Sequence, residues 1–346
     1  MTQTIDLESE LLPSAAVFYR MKLELLDRLD EAALVPVPVP APVHLAPRKH
    51  RPVRRRVIGA STLLAAAVIA TLVATNVAGT HGATAEAAEV LHSAALASIH
   101  SSDPVVGPGQ YLMVDTTEAA MDFGDHAAYV QPHRRLLYVP FDRDSYWVIG
   151  NQALPPGAQY GDASGLIKDY WGPRANGVPV GTLAYIHAQG GKFISAPLDI
   201  AEIAALPRDP DALHSYLYSH VTGQLSKDQE VWGEIYQLLI EGLVPANLRA
   251  SMYDVLARIP GVYLAEGNAN LDGRTGVGIS FLDSTGIDIQ QIIIDPKTGL
   301  VIGTRDLGVK AAGKVPAGVP LDWSAVTTTV VDLAPTGPFL KEHQPG

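Results

Sequence analysis

The sequence predicts an α+β fold on a membrane anchor: an N-terminal helix, a single transmembrane helix, and an extracytoplasmic antiparallel sheet with helices packed on one face. Three observations predict it. Residues 57–78 run for 22 positions without a charge. Beyond them, short runs alternating polar and apolar residues give way to three consecutive segments of helical period, and then alternation returns. Tight-turn sequences separate the last runs, among them Asp295-Pro296-Lys297-Thr298-Gly299.

Composition bounds the rest. Of the 346 residues 47% are hydrophobic and 18% charged, which supplies a sizeable core and argues against global disorder. Residues 1–56 carry nine Lys and Arg against seven Asp and Glu, whereas residues 80–346 carry sixteen against twenty-nine. An acidic outer region argues against a nucleic-acid partner, which requires a basic face. Cysteine is absent, so disulfides, thiolate metal sites and a cysteine nucleophile are excluded. The outer domain is therefore held by its core alone, which a chain of this size can supply.

The inner segment, 1–56, has three parts. Residues 14–34 are helical in pattern: Val17, Met21, Leu25 and Leu29 recur every fourth residue beside Leu26, and Glu24 with Arg28 forms an i,i+4 pair. Such a helix is marginal alone in water, so it is expected either to dock on a cytoplasmic partner or to lie on the membrane surface. Residues 35–47 (VPVPVPAPVHLAP) hold proline at a density that forbids helix and gives an extended spacer. Residues 48–56 crowd Arg48, Lys49, Arg51, Arg54, Arg55 and Arg56 against the span.

At about 1.5 Å per residue, the span 57–78 reaches roughly 33 Å, enough for a hydrocarbon core of about 30 Å. The basic flank stays in the cytoplasm beside anionic headgroups and puts residues 80–346 outside. Ala83-Thr84-Ala85 has the small-x-small form of a signal-peptide cleavage site. A leader, however, has an apolar stretch of roughly 7–15 residues and a short basic start, so an uncleaved anchor is expected. Either reading exports the outer domain.

In the outer region, 83–100 reads as an Ala-rich helix ended by Asp103-Pro104 and the Gly107-Pro108-Gly109 turn. Residues 110–116, 128–139, 145–149, 182–187 and 192–195 read as strands, and 150–180 as a long Gly- and Pro-rich loop. Helices are expected from Asp209 with Pro210 in the first turn, over 226–241 with Val231, Ile235, Leu238 and Leu239 on one face, and over 245–259. Three helices with no intervening strand exclude a βαβ alternation. Strands return at 262–266, 276–283, 287–295, 300–307 and 323–333, with Asp283-Ser284-Thr285-Gly286 as a second hairpin turn.

No catalytic signature survives inspection. Gly161-Asp162-Ala163-Ser164-Gly165 is spaced G-x-x-S-G, not the G-x-S-x-G of a nucleophile elbow. The phosphate-loop Gly-Lys-Ser/Thr and the H-E-x-x-H zinc motif are missing, and Gly276 with Gly278 lacks the third glycine of a dinucleotide fingerprint. Asp122, Asp125 and His126, with His133 further on, offer metal-ligand chemistry but sit in what reads as a turn. No metal and no cofactor are expected. His214 and His220 stand six apart, off one helix face, and the pairing of Glu266, Asp272 and Asp283 waits on the fold. The aromatics Tyr138, Tyr146, Trp147, Tyr170, Trp171, Tyr185 and Phe193 read as sheet core or as an apolar groove for a lipid or an unfolded hydrophobic peptide.

Several stretches carry a family likeness over nearly the whole chain: Ala-Ala-Glu-Val-Leu at 87–91, LPRDPDAL at 206–213, VPANLRASMY at 244–253, LARIPGV at 256–262 and IIDPKTG at 293–299. With the order helix, basic stretch, span and outer domain, the chain resembles the actinobacterial family of single-pass membrane proteins often encoded beside extracytoplasmic-function sigma factors. That resemblance implies an outer domain similar to the half-barrel of periplasmic lipoprotein carriers and of the sensor that partners membrane anti-sigma factors. It implies a non-enzymatic envelope sensor or regulator acting on a sigma factor through 14–34, or alternatively an anchored carrier of a lipid or other apolar ligand. Without cysteine, a zinc-dependent grip of the anti-sigma type is excluded. No catalytic residues carry over.

Overall fold

A computed structural model describes residues 82–101, 103–171, 181–192, 200–222, 225–265, 269–336 and 341–342. The expected inner helix 14–34, spacer 35–47, basic flank and span 57–78 lie outside the described residues. Among the described ones no helix is long and apolar enough to cross a membrane.

The chain is α+β. The described helices are α1 (Ala85–Ser101), α2 (Ser164–Trp171), α3 (Ile200–Ala205), α4 (Pro210–His220), α5 (Lys227–Ile240) and α6 (Ala246–Leu256). The strands are β1 (Tyr111–Phe123), β2 (Ala128–Pro140), β3 (Tyr146–Ala153), β4 (Gln159–Tyr160), β5 (Ala184–Gln189), β6 (Val262–Leu264), β7 (Val277–Leu282), β8 (Asp288–Ile294), β9 (Val301–Gly308), β10 (Pro320–Val331) and β11 (Lys341–Glu342). They form one sheet in the order β11-β5-β3-β2-β1-β10-β9-β8-β7-β6, with β4 on β2. Every pairing is antiparallel except the two-residue β11–β5 contact. The expected loop 150–180 is only partly loop, since it holds β4 and α2. Lys192 ends outside any strand, and 193–195 lie outside the described residues.

The helix starts follow their sequence signals. Asp209 Oδ1 accepts from the backbone N–H of Asp211 and Ala212 at 3.1 and 2.9 Å, and Pro210 follows in the first turn, where its missing N–H costs nothing. Ser226 Oγ likewise accepts from Gln229 N at 3.1 Å at the head of α5. Helix α6 has no local side-chain cap. Its Ala246 N–H donates instead to Asp103 Oδ2 at 2.6 Å, across 143 residues of chain. The other oxygen of Asp103 accepts from the buried Arg249, which also donates to Ser98 Oγ and the Val244 carbonyl. One carboxylate thus ties the exit of α1 to the entry of α6.

The main core lies between these helices and β6–β9, where Leu91, Leu213, Leu217, Ile235, Leu248 and Leu256 meet Val262, Ile279, Ile292 and Ile294. The small residues of α1 let it approach the β8–β9 turn closely. Gly299 has φ +65°, and a Cβ there would land on Ser98 Oγ and the Ala94 carbonyl, so glycine serves both the turn and the packing. A second cluster, with Leu112, Val114, Leu137, Val139, Trp147 and Val326, covers the same face of β1–β3 and β10.

Helix α5 links the two halves by crossing the sheet. Trp232 Nε1 donates to Gln290 Oε1 on β8 (3.0 Å), and Tyr236 Oη donates to Asp306 Oδ1 on β9 (2.9 Å). Glu241, capping the C-terminal end, pairs with Arg135 on β2 (2.8 Å). Gly242 then sets its backbone on β1, where a Cβ would come within 3.0 Å of Val114 Cγ1. Crossing from β8 to β2 covers about 19 Å at ordinary strand spacing, while the helix between Trp232 and Glu241 advances about 14 Å. Long side chains at both ends make up the difference.

Candidate functional site

Alternation along a strand decides what faces α5. On β1 the inward phase runs Leu112, Val114, Thr116, Glu118, and on β2 it runs Val139, Leu137, Arg135, His133, Gln131. The first members are apolar and sit under the turn after α5. The later ones are polar, and register places Thr116 opposite Arg135 and Glu118 opposite His133. From β10, Asp322 and Ser324 share this face, with Asp306 of β9 opposite Asp322.

Glu118 is the centre of the group. Its Oε2 lies 3.3 Å from His133 Nε2, and it is hydrogen-bonded to Asp322. Protein surrounds it, yet 34% of its side-chain surface still reaches water. Helix α5 runs along one side of this group, with Tyr236 bonded to Asp306 and Glu241 to Arg135. Beyond the end of β1, Leu166 of α2 packs on Gly124.

The two neighbouring carboxyls are pushed apart. Burial works to raise Glu118, but His133, by hydrogen bond and charge, with Asp322 and Arg135, outweighs it and holds the group at about 2. Asp322 is raised well above the ordinary carboxyl range, first by burial and then by the charges of Glu118 and Asp306. The pair therefore keeps one proton, carried by Asp322 and donated toward Glu118. Burial likewise drives the Tyr236 hydroxyl far upward, with the Asp306 charge adding to it, so it stays a neutral donor to that carboxylate.

Around this pair, polar atoms lack partners. Thr116 Oγ1, Gln131 Oε1 and Asn151 Oδ1 are each buried without a hydrogen-bond partner among the described residues. Thr116 and Gln131 are 7% and 8% exposed, and Asn151 of β3 stands opposite Arg135. The Gln131 amide is oriented by its own bonds: Nε2 donates to the carbonyls of Pro132 and Leu154, which leaves Oε1 as the spare acceptor.

The residues singled out by sequence fall elsewhere, with one exception. Asp125 and His126 occupy the exposed β1–β2 turn, while His133 lies back along β2 beside Glu118. No group of three His, Asp or Glu is spaced for a metal among the described residues. Gly161–Gly165 leads into α2, with Asp162 Oδ1 accepting from Ser164 N at 3.1 Å. Asp272 pairs with Arg274, and Asp283 orders the β7–β8 turn by accepting from Ile287 and Asp288. Glu266 is outside the described residues. His214 stacks on Tyr218, and His220 on Tyr216, along α4.

Among the described residues, Trp147 and the Tyr138–Tyr185 pair lie on opposite faces of the sheet. Trp147 is buried on the α5 side. Tyr138 and Tyr185 lie on the opposite side, with Tyr185 flat over Gly150, where a Cβ would come 2.6 Å from its ring. Tyr146 is exposed beside His187. The carboxyl pair was the feature that sequence reading missed. Its signal was there: DTTE in β1 and QPHRR in β2 put charge on the phase that had just been apolar.

Neither a scan of the chain against protein-family models nor a search of curated proteins returns a match.

Proposed function

We propose that this is a membrane-anchored, non-enzymatic envelope sensor or regulator. Residues 80–346 form its outer, ligand-reading domain, and the helix 14–34 meets a cytoplasmic partner, a sigma factor by the family resemblance. The observation that carries the reading is the uncharged run 57–78 with six Lys and Arg crowded on its N-terminal side and none immediately after it. The partly exposed polar cluster around Glu118 is compatible with it, because a sensor needs a place outside where a ligand is read. The long antiparallel sheet with helices along one face fits the half-barrel likeness.

The regulatory arm is tested with the full-length chain. Replacing Leu25 and Leu29 by Glu removes the apolar stripe of the inner helix. Affinity capture from membranes is expected to lose a cytoplasmic protein that the unchanged chain retains. Identical sets of captured proteins from both chains would remove this arm.

The alternative, an anchored carrier of a lipid or other apolar molecule, draws on the apolar inner phase of β1–β3. It predicts saturable uptake of a fluorescent fatty acid by the purified chain. Polar residues around the water-accessible part of this face favour the sensor reading.

A further inference from the structure

We propose that α1 lies along the outer surface of the bilayer, with Leu96, Ile99 and Val105 seated among the lipid headgroups. The inference rests on reading residues 57–78 as a membrane anchor, and it adds which surface of the outer domain meets the lipid.

The far half of α1 is unlike an ordinary solvated helix surface. Its inner face is spent on the core, where Ala87, Leu91, Ala94, Ala95 and Ser98 are buried. On the opposite face Leu96 and Ile99 stand three apart on one stripe, 46% and 59% exposed, and Val105 just beyond the helix is 85% exposed. A single exposed aliphatic residue is ordinary, but three so close together make a patch of the kind that marks a protein or membrane contact. Nearer the start of the helix the same stripe is polar, with the exposed Glu89 and His92.

Position in the chain chooses lipid over another protein. Ala83 N–H donates to the Ala257 carbonyl at 3.2 Å and Thr84 N–H to the Val262 carbonyl at 2.9 Å, so the domain is fixed from its first residues. Thr84 Oγ1 accepts from Ala87 N at 3.3 Å and opens α1. From Ala78, the last residue of the uncharged run, to Ala83 is a stretch of chain that reaches at most about 18 Å when extended. The headgroup layer takes roughly 5–8 Å of that length. The start of α1 is thereby kept within about 13 Å of the membrane surface.

The helix also lies on a flank of the domain. Val262, which holds Thr84, belongs to β6 at one edge of the sheet. From there α1 runs about 25 Å to Ser101, whose Oγ donates to the Thr298 carbonyl in the β8–β9 turn. Tilting this flank toward the bilayer brings the apolar half of the stripe to the headgroups while Glu89 and His92 stay in water. That is the arrangement of an interfacial helix.

The test uses the full-length chain in phosphatidylcholine vesicles, part of whose lipid carries a nitroxide quencher on the headgroup. Because the chain has no cysteine, a fluorophore is attached through His100→Cys on the stripe or through Asp144→Cys in the β2–β3 turn, far across the sheet from β6. Quenching is expected to be several-fold stronger at His100→Cys. Adding Leu96→Gln and Ile99→Gln should bring it down toward the Asp144→Cys level, with the melting temperature nearly unchanged because both side chains are exposed. Equal quenching at the two positions, or a signal that the double substitution leaves unchanged, would overturn the proposal. So would disulfide cross-linking of His100→Cys chains without quenching, which assigns the patch to a second copy. A chain that fails to float with the vesicles removes the anchor and this contact together, whereas a floating chain with equal quenching removes the contact alone.

Discussion

Glu118 and Asp322 sit on neighbouring strands, and the fold treats the two carboxyls oppositely. Glu118 is held at about 2 from an ordinary value of 4.5, so it adds stability above the unfolded value, and that contribution disappears as pH falls from 4.5 toward 2. Asp322 is raised above its ordinary 3.8, so the fold favours its protonated form. The associated stability is present below 3.8 and is lost as pH climbs through the raised value. Asp322→Asn keeps the neutral form at every pH. Its melting temperature relative to the unchanged chain should therefore rise more at pH 8 than at pH 5, and an equal difference at both would contradict the assignment. Arg249 makes a separate residue-scale case. It is buried and donates to Ser98, Val244 and Asp103, so Arg249→Ala empties a buried volume and takes a donor from Ser98 and the Val244 carbonyl, and should cost about 2–4 kcal/mol by denaturant unfolding.

Among the elements, those with a local signal were legible in the sequence. Asp209-Pro210 and Ser226 cap α4 and α5 as their residue types predict, because a cap depends on residues within one turn. Asp209→Ala is expected to lower stability by about 1 kcal/mol, read as a shift in the denaturant midpoint at unchanged slope. The turn 295–299 was equally legible, but the demand placed on its glycine was not, since that comes from α1, some 200 residues away. Gly299→Ala would meet Ser98 and the Ala94 carbonyl while holding a strained positive φ, and should cost about 2–4 kcal/mol. A loss below about 0.5 kcal/mol would show that α1 does not pack there as described. Helices α2 and α3, of eight and six residues, escaped notice because so short a segment completes barely two turns of periodic pattern. The cap of α6 escaped for another reason: Asp103 lies 143 residues from the N–H it serves.

For the whole molecule, fold class followed from the order of periods, but strand order did not. Strand β1 pairs on one side with β2, its neighbour in sequence, and on the other with β10, from the far end of the chain. Nothing local in either strand announces that pairing, and the carboxyl pair is created by it. This is why the sequence does not single out Glu118 or Asp322: both fall just outside the expected strands 110–116 and 323–333, and only the formed sheet brings them together. The proposed anchor is the reverse case, read entirely from local composition. The same sequence offers a direct way to examine it, because the chain has no cysteine. Single cysteines placed at Ser14 and at Leu333, which is 82% exposed, can each be challenged in intact cells with a membrane-impermeant maleimide. The anchored-sensor account predicts that Leu333→Cys is labelled in intact cells and Ser14→Cys only after the membrane is opened. Labelling of Leu333→Cys that also waits for lysis would contradict it.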